Sequence, residues 1–274
     1  MRALRDGSVR SDVVEFDFVN FAAVGKSFKG MIADQRYDVC EMALVAFLQA
    51  YSQSSPLRIL PVVALGGFLF GNIYRDASSV SLSPYQLSDK RIGVRSYSQT
   101  TAVWLRAGLS EQFGLDVEKA VWVANGSAHV SGVKDPPNVE HVEASRSLED
   151  LLRDRVVDAV ILHPNQRPTT KVRALIAEPG KAADEWFDRH GVVPVNHVIC
   201  LAPSVWREPQ LVAEVFSMFR RSYRLAGVPD ASDRNPLSYD RGQVGRAFEL
   251  AVELAVDQKL IPSPVDSSDA MVCP

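Results

Sequence analysis

Six consecutive uncharged polar residues form the part of this sequence that is best suited to bind a ligand. They follow an apolar segment, residues 92–94, and run into a helical pattern that begins near Thr100. Their hydroxyl and amide groups, with the N–H groups and positive dipole end of a helix start, favour contact with an anionic oxygen. An N-cap of Ser and Thr is the alternative, but a cap needs fewer polar residues. The predicted ligand contacts are Ser96, Tyr97, Ser98, Gln99, Thr100 and Thr101.

Glu41 and His197 are the candidates for proton transfer. Glu41 follows a short strand-like segment, residues 37–40, and precedes a helical pattern, so we expect its carboxylate at the carboxyl end of a strand. It can act as a general acid or accept from a ligand hydroxyl; a helix-start glutamate that stabilises the dipole is the alternative. His197 lies in an apolar strand and can donate to a carboxylate or protonate a carbanion near neutral pH. A hydrogen-bonded core histidine is its alternative.

Three more polar residues are predicted to contact the ligand. His163 ends an apolar strand-like segment, residues 156–162. Asn72 lies in another such segment, and Asn196 immediately precedes His197. Among the arginines, Arg95 stays a candidate because it enters the polar row, whereas Arg91 and Arg106 are predicted to be surface charges.

Neither a metal site nor a disulfide framework is expected. Cys40, Cys200 and Cys273 are widely separated and form no CxxC pattern, and the first two stand in apolar stretches that predict burial. His129 and His141 lack metal-ligand spacing with other residues.

Strand-like and helix-like segments alternate along the chain, which is typical of an α/β sheet. Strands are predicted at residues 13–20, 37–40, 57–63, 68–74, 92–94, 119–123, 156–162 and 196–202. Helices are predicted at residues 28–33, 42–51, 100–113, 147–154, 183–190, 210–225 and 243–258. The tail after residue 262 is rich in Ser, Pro and Asp, and it is expected to fray.

The bulk composition argues against nucleic-acid and membrane partners. The chain has 274 residues, a net charge of -3 and 46% hydrophobic residues, which favours a soluble globular protein. Residues 1–12 carry charges with no apolar h-region after them, and no apolar run is as long as a membrane span. Together with the initial Met1, this predicts a cytoplasmic protein.

Several strings of this sequence resemble one known family. They are RALRDGSVR, YDVCEMALVAFL, GVRSYSQTTAVWLRAGL, DPPNVEH, VDAVILHP and PVNHVI. They are similar to the 4,5-dihydroxyphthalate decarboxylase-like family, which has the fold of type II periplasmic binding proteins. The resemblance implies two α/β lobes joined by two crossover strands, with a ligand cleft between the lobes. Lobe one would be residues 1–80 plus 198–274, and lobe two residues 81–197.

Three departures from the family pattern affect the expected substrate contacts. The extra strand that normally precedes the RALRDG-like segment is absent or replaced. Residues 65–72 contain no cation where the family usually has arginine and histidine, and Ser96 stands where decarboxylase-like members carry glutamate. A diacid needs charge-assisted contacts, so the fold carries over more safely than the substrate.

The resemblance implies a cofactor-independent lyase, a decarboxylase (carboxy-lyase) of an aromatic or cyclic carboxylate. The polar row would hold the carboxylate, and Glu41 or His197 would donate the proton. The expected partner is a small-molecule carboxylate or related aromatic ligand, and a homo-oligomer is left open. A non-catalytic solute-binding protein or ligand sensor with the same cleft is the alternative, and a degenerate paralogue that serves as a partner subunit is the third.

Overall fold

Two sheets organise the chain. The computed structural model describes residues 1–78, 82–169, 171–229, 233–272 and 274. The chain divides into two compact units: Met1–Gly67, Val192–Glu253 and Ile261–Pro274 form the first, and Phe68–Gly191 and Leu254–Leu260 form the second. The predicted lobe boundaries, at residues 80/81 and 197/198, differ from these bounds, and residues 79–81 lie outside the described part of the chain. The predicted lobe ranges stay a prediction.

Strands and helices alternate along both units. The strands are β1 Val39–Ala43, β2 Arg58–Gly66, β3 Ile73–Asp76, β4 Arg91–Val94, β5 Val121–Ala124, β6 Val139–His141, β7 Ala159–Ile161, β8 Val172–Ala174 and β9 Val195–Leu201. The helices are α1 Arg2–Arg5, α2 Gly25–Asp34, α3 Leu44–Ser52, α4 Thr100–Phe113, α5 Leu148–Arg153, α6 Pro179–His190, α7 Pro203–Trp206, α8 Pro209–Leu225, α9 Arg241–Asp257 and α10 Ser267–Ala270. Short 3-10 turns lie at Phe70–Asn72 and Pro84–Gln86. The predicted α/β class is confirmed.

In the first unit β9 is the central strand of a sheet with the order β1-β9-β2. Both neighbours run antiparallel to it. All residues of β9 are buried, and most are apolar or β-branched, which suits a strand covered on both faces. An apolar cluster packs on this sheet; its buried members are Leu4, Val9, Leu60, Val62, Ile199, Leu201, Val205, Val212, Val215, Met218, Phe219, Tyr223 and Tyr239.

In the second unit the sheet order is β6-β5-β4-β7-β3-β8. β4 pairs parallel with β5 and β7, and β5 pairs parallel with β6, so the carboxyl ends of these four strands meet at one edge of the sheet. β3 runs antiparallel to β7, and its amino end therefore lies at the same edge. Ligands of open α/β sheets bind at this kind of edge.

The strand predicted at residues 13–20 is wrong, but apolar residues of that segment do lie on one buried side, as the alternation indicates. The segment forms no strand. Val14, Phe16 and Phe18 nevertheless pack against the first unit's apolar cluster, while Val13 and Val19 are exposed. The alternation thus reflects an extended chain with one buried face, and none of the strands in the described part of the chain pairs with it.

Three further element predictions need correction. The strand predicted at residues 37–40 is β1, so Glu41 lies inside a strand and not after it. In the segment predicted as a strand at residues 68–74, a 3-10 turn comes first and β3 begins at Ile73. The tail is not frayed throughout, because Val272 N–H donates to Ile59 O at 3.0 Å and Met271 is buried.

Gly108 in α4 is predicted to resist a side chain. A Cβ there would lie 2.6 Å from two ring carbons of Phe70, whereas a Cβ at Gly245 in α9 would meet no heavy atom of the described residues within 4 Å. We expect Gly108→Ala to lower the free energy of unfolding by about 1–3 kcal/mol through overpacking. Gly245→Ala should raise it by up to about 1 kcal/mol through helix propensity. Urea denaturation measures both variants. A change of the same sign in the free energy of unfolding of both would contradict the close contact between Gly108 and Phe70.

Candidate active site

Glu41 and His197 meet on the sheet of the first unit. Ala43 lies opposite His197 and Glu41 lies opposite Ile199, so the two side chains are diagonal neighbours on one face of the β1–β9 pair. Glu41 Oε1 and His197 Nδ1 are 2.7 Å apart. The His197 side chain is 8% exposed and that of Glu41 is 24% exposed. The imidazole is therefore enclosed, while the carboxylate keeps access to solvent.

This contact gives the two nitrogens of His197 different roles. A carboxylate beside Nδ1 favours the tautomer with hydrogen on Nδ1, so Nε2 is the nitrogen that gains and loses a proton. The edge-on ring of Phe28, with centroids 5.8 Å apart, fixes the imidazole from the side of α2. A histidine that is oriented by a carboxylate can act as a general acid, and the catalytic role of the pair stays a prediction.

Tyr223 is a neighbour that the sequence analysis missed. It continues the buried stripe of α8 after Phe219, and that spacing of four residues was the available signal. Its hydroxyl donates to Val63 O at 2.7 Å. Burial, and then the charge of Glu41, raise the pKa of Tyr223, so the phenol stays protonated. Asn196 is also buried, but its side chain lies on the opposite face of β9 from His197, and its ligand contact stays a prediction.

The second unit collects its predicted ligand residues at the shared sheet edge. Ile73 is paired with Ile161, and Leu162 N–H donates to Asn72 O at 2.9 Å, so Asn72 and His163 lie at the same end of the β3–β7 pair. His163 Nδ1 accepts from Asn165 N–H at 3.2 Å. The polar loop, which we define as residues 96–101, follows β4 at that edge.

The polar loop leads into α4 as the sequence predicts. Helix α4 begins at Thr100, which confirms the predicted start. Its N-cap is Gln99, whose side chain makes no capping hydrogen bond and instead accepts from Arg95 N–H at 3.3 Å. All six residues of the loop are buried, and no acidic residue lies in the first turn of α4. Their ligand contacts stay a prediction.

Arg106 is buried, so its assignment as a surface charge was wrong. Its guanidinium lies 3.9 Å from the ring centroid of Tyr97 and 4.9 Å from that of Trp122. Nη2 donates to Tyr97 O at 2.7 Å, and Nε donates to Gln258 Oε1 at 2.6 Å. Burial lowers the pKa of Arg106 to about 10. Arg106 therefore fixes the backbone of the polar loop, and the Tyr97 ring faces this cation.

Arg91, the first residue of β4, and Arg95, which follows β4, differ in their partners. Arg91 forms an ion pair with Glu140 at 2.5 Å, at the surface as predicted. Arg95 is half-buried, and its Nη2 lies 2.9 Å from His129 Nε2 and 3.1 Å from Ser96 Oγ. The cation that the sequence left as a candidate thus lies directly beside the polar loop.

The predicted burial of Cys40 and Cys200 is confirmed. They lie opposite each other on β1 and β9, and burial raises the pKa of both thiols. Cys273 lies outside the described residues. Within the described ranges, no group of three or more His, Cys, Asp and Glu side chains is placed to hold a metal ion. In the same part of the chain, no helix has the length and apolar character needed to cross a bilayer.

Curated relatives decide the family. The chain is 30% identical over 239 residues to a 4,5-dihydroxyphthalate decarboxylase of Comamonas testosteroni, which covers 82% of this chain and 72% of that protein. It is 29% identical over 205 residues to the Pseudomonas putida protein of the same name, covering 68% and 77% of the two chains. The chain belongs to the 4,5-dihydroxyphthalate decarboxylase family. The predicted family is thereby confirmed, although no family model matches the sequence.

Solved structures confirm the type II periplasmic-binding-protein-like fold. The alkanesulfonate-binding protein SsuA of Xanthomonas axonopodis pv. citri matches 99% of this chain and 91% of its own, with a TM-score of 0.61 and 15% identity. SsuA of Escherichia coli matches 94% and 87%, with a TM-score of 0.60 and 14% identity. The desulfurization enzyme DSZB matches 91% and 90%, with a TM-score of 0.53 and 14% identity. Binding proteins and an enzyme share the fold, so the fold alone does not select the function.

Proposed function

We propose that this protein is a cofactor-independent decarboxylase that removes carbon dioxide from an aromatic or cyclic carboxylate. The observation that carries the proposal is the 2.7 Å contact between Glu41 Oε1 and His197 Nδ1 in a member of the decarboxylase family. Decarboxylation without a cofactor needs a group that delivers a proton to the carbon that loses its carboxylate. A carboxylate-oriented histidine supplies that group.

The proposed proton transfer begins at Nε2 of His197. The bond between the ring carbon and the carboxylate breaks, its electron pair stays on the carbon, and carbon dioxide leaves. The proton on Nε2 forms the new carbon–hydrogen bond, so the carboxylate is replaced by one hydrogen. Glu41 holds Nδ1 and so fixes the orientation of the imidazole during the transfer, and Nε2 takes up its next proton from water after the product leaves.

The proposed role of the polar loop is to bind the carboxylate that leaves. Neutral hydroxyl and amide groups at the start of α4 orient this carboxylate. A charge-assisted contact would instead stabilise the negative charge of this carboxylate in the ground state and so slow its loss as carbon dioxide. A loop without charged side chains therefore suits a group that must lose its charge as carbon dioxide.

Thr100→Val tests the polar loop. One neutral hydrogen bond contributes roughly 0.5–1.5 kcal/mol, so we expect the variant to weaken carboxylate binding by about tenfold or less. Thr100→Ser keeps the hydroxyl and is the matched control, with affinity near that of wild type. Calorimetry measures both, and circular dichroism verifies the fold. Unchanged affinity across single substitutions at Ser96, Tyr97, Gln99 and Thr100 refutes the ligand contact.

The second candidate function is a ligand-binding protein without catalysis. Two of the solved structures with this fold are sulfonate-binding proteins, and this chain has no cation at residues 65–72. Carbon dioxide release from a panel of aromatic carboxylates, including 4,5-dihydroxyphthalate, separates the two functions. Turnover supports the decarboxylase, and tight binding without release supports the binding protein. The proposal also includes a cytoplasmic location, which cell fractionation tests.

A further inference from the structure

Arg95 carries a positive charge without a carboxylate partner among the described residues. Its contacts are Nη2 to Ser96 Oγ at 3.1 Å, Nη2 to His129 Nε2 at 2.9 Å, and Nη1 to Ser127 O at 3.5 Å. Each of these acceptors is neutral when His129 accepts through Nε2. Burial also lowers the pKa of Arg95. A partly desolvated cation of this kind is stabilised by an anion that approaches from outside the chain.

The guanidinium has hydrogen-bonding capacity left for such an anion. Nε makes no hydrogen bond to the described residues, whereas both terminal nitrogens do. Arginine offers five N–H donors in a planar fork that matches the two oxygens of a carboxylate. Arg95 therefore combines an uncompensated charge with an unused donor.

The two loops that carry Arg95 and His129 are held close together. Arg95 follows β4 and His129 lies beyond β5, and these strands pair in parallel, so both loops leave the same sheet edge. A Cβ at Gly126 would lie 2.9 Å from Arg95 O, so the backbones approach as closely as only glycine allows. The contact between the guanidinium and the imidazole is thus built into the fold of the second unit.

We propose that Arg95, positioned by His129 and Ser96, is an anion-binding subsite for an acidic group that the substrate keeps in the product. The inference rests on the proposed function, because a charge-assisted grip on the leaving carboxylate would oppose its departure. Ser96 contacts Arg95, so the part of the polar loop that serves the leaving group is residues 97–101, and Arg95 serves the retained group. Arg95 then determines the preference of the protein for acidic over neutral ring substituents.

Calorimetry with benzoate and its neutral isostere benzamide tests the subsite in the full-length protein. We expect wild type to prefer benzoate by roughly tenfold to a hundredfold, the range of a charge-assisted contact. Arg95→Met should remove most of this preference, and Arg95→Lys should retain part of it. Arg91→Met is the matched control, since Arg91 begins the strand that Arg95 follows but already has Glu140 as its partner, and it should keep the wild-type preference.

A second measurement observes the wild-type protein directly and uses only the conservative variant Arg95→Lys, for assignment. The Nε–H resonance of Arg95, assigned by its absence in Arg95→Lys, should move on benzoate titration and remain in place with benzamide. An unchanged benzoate preference in folded Arg95→Met, or a stationary Arg95 resonance at saturating benzoate, overturns the subsite. If benzoate binding depends on Arg95 but the protein releases no carbon dioxide, the subsite is supported and only the proposed reaction is rejected.

Discussion

Glu41→Gln and His197→Asn should each lower the rate of carbon dioxide release by about 10²–10⁴-fold, the usual effect of removing a general acid. His197→Asn removes the proton donor. Glu41→Gln keeps the shape of the side chain and one hydrogen-bond acceptor but removes the negative charge beside Nδ1. Substrate affinity should change far less, because both variants act on proton delivery.

The losses in rate from the two substitutions should not be additive, because Glu41 and His197 act as one unit through their 2.7 Å contact. The double variant is therefore expected to be about as slow as the slower single variant. Steady-state carbon dioxide release measures the rates, and calorimetry with a non-reactive carboxylate measures affinity separately.

Ile199→Val is the matched control for these variants. Ile199 lies opposite Glu41 on the same face of the sheet, so its truncation perturbs the same packing without a change in charge. We expect a loss of roughly 0.5–1.5 kcal/mol in the free energy of unfolding and a nearly unchanged rate. If Glu41→Gln and His197→Asn both keep full activity, the protein is still a decarboxylase but the assignment of the proton donor is wrong.

Trp122→Ala should destabilise the protein by about 3–5 kcal/mol, the usual cost of removing a fully buried large aromatic residue. The indole lies beneath the Arg106 guanidinium, packs edge-on against Tyr97 with centroids 6.1 Å apart, and donates from Nε1 to Val117 O at 3.0 Å. Its loss opens a cavity under the cation that holds the Tyr97 carbonyl. The polar loop should therefore become less well ordered, and carboxylate binding should weaken.

Trp122→Phe separates packing from the hydrogen bond. Phenylalanine keeps a ring for Arg106 but cannot donate to Val117 O, so a smaller loss, on the order of 1–3 kcal/mol, is expected. Urea denaturation followed by circular dichroism measures both variants. A loss below about 1 kcal/mol for Trp122→Ala would contradict the central position of this ring in the second unit.

Local patterns predicted the loop and helix of the second unit well. The polar row passes directly into a helical pattern near Thr100, and α4 begins at that residue. The same helix also held a signal that the sequence analysis overlooked. Residues 102–109, AVWLRAGL, are apolar or small apart from the arginine, and an arginine inside such a run is expected to be buried. The prediction of a surface position for Arg106 was wrong because it rested on the charge alone and not on the apolar residues around it.

The pairing of distant segments is where single-sequence reasoning failed. The faces of the segment at residues 13–20 were predictable from alternation, but its lack of a partner strand was not. Glu41 and His197 were chosen separately, and their contact depends on the register of two strands whose residues are 156 positions apart. The same holds for Arg95 and His129, whose loops meet only because β4 pairs with β5. The fold itself followed from the family resemblance, since periodicity indicated only an α/β sheet.

The most direct test of the account is the reaction of wild-type protein with 4,5-dihydroxyphthalate in deuterium oxide. Because the proton on His197 exchanges with solvent, the account predicts that each molecule of carbon dioxide is matched by one deuterium on the ring carbon that carried the carboxylate. Mass spectrometry and NMR of the product measure this ratio. Tight binding of the carboxylate with neither carbon dioxide nor deuterated product would contradict the account and leave a binding protein.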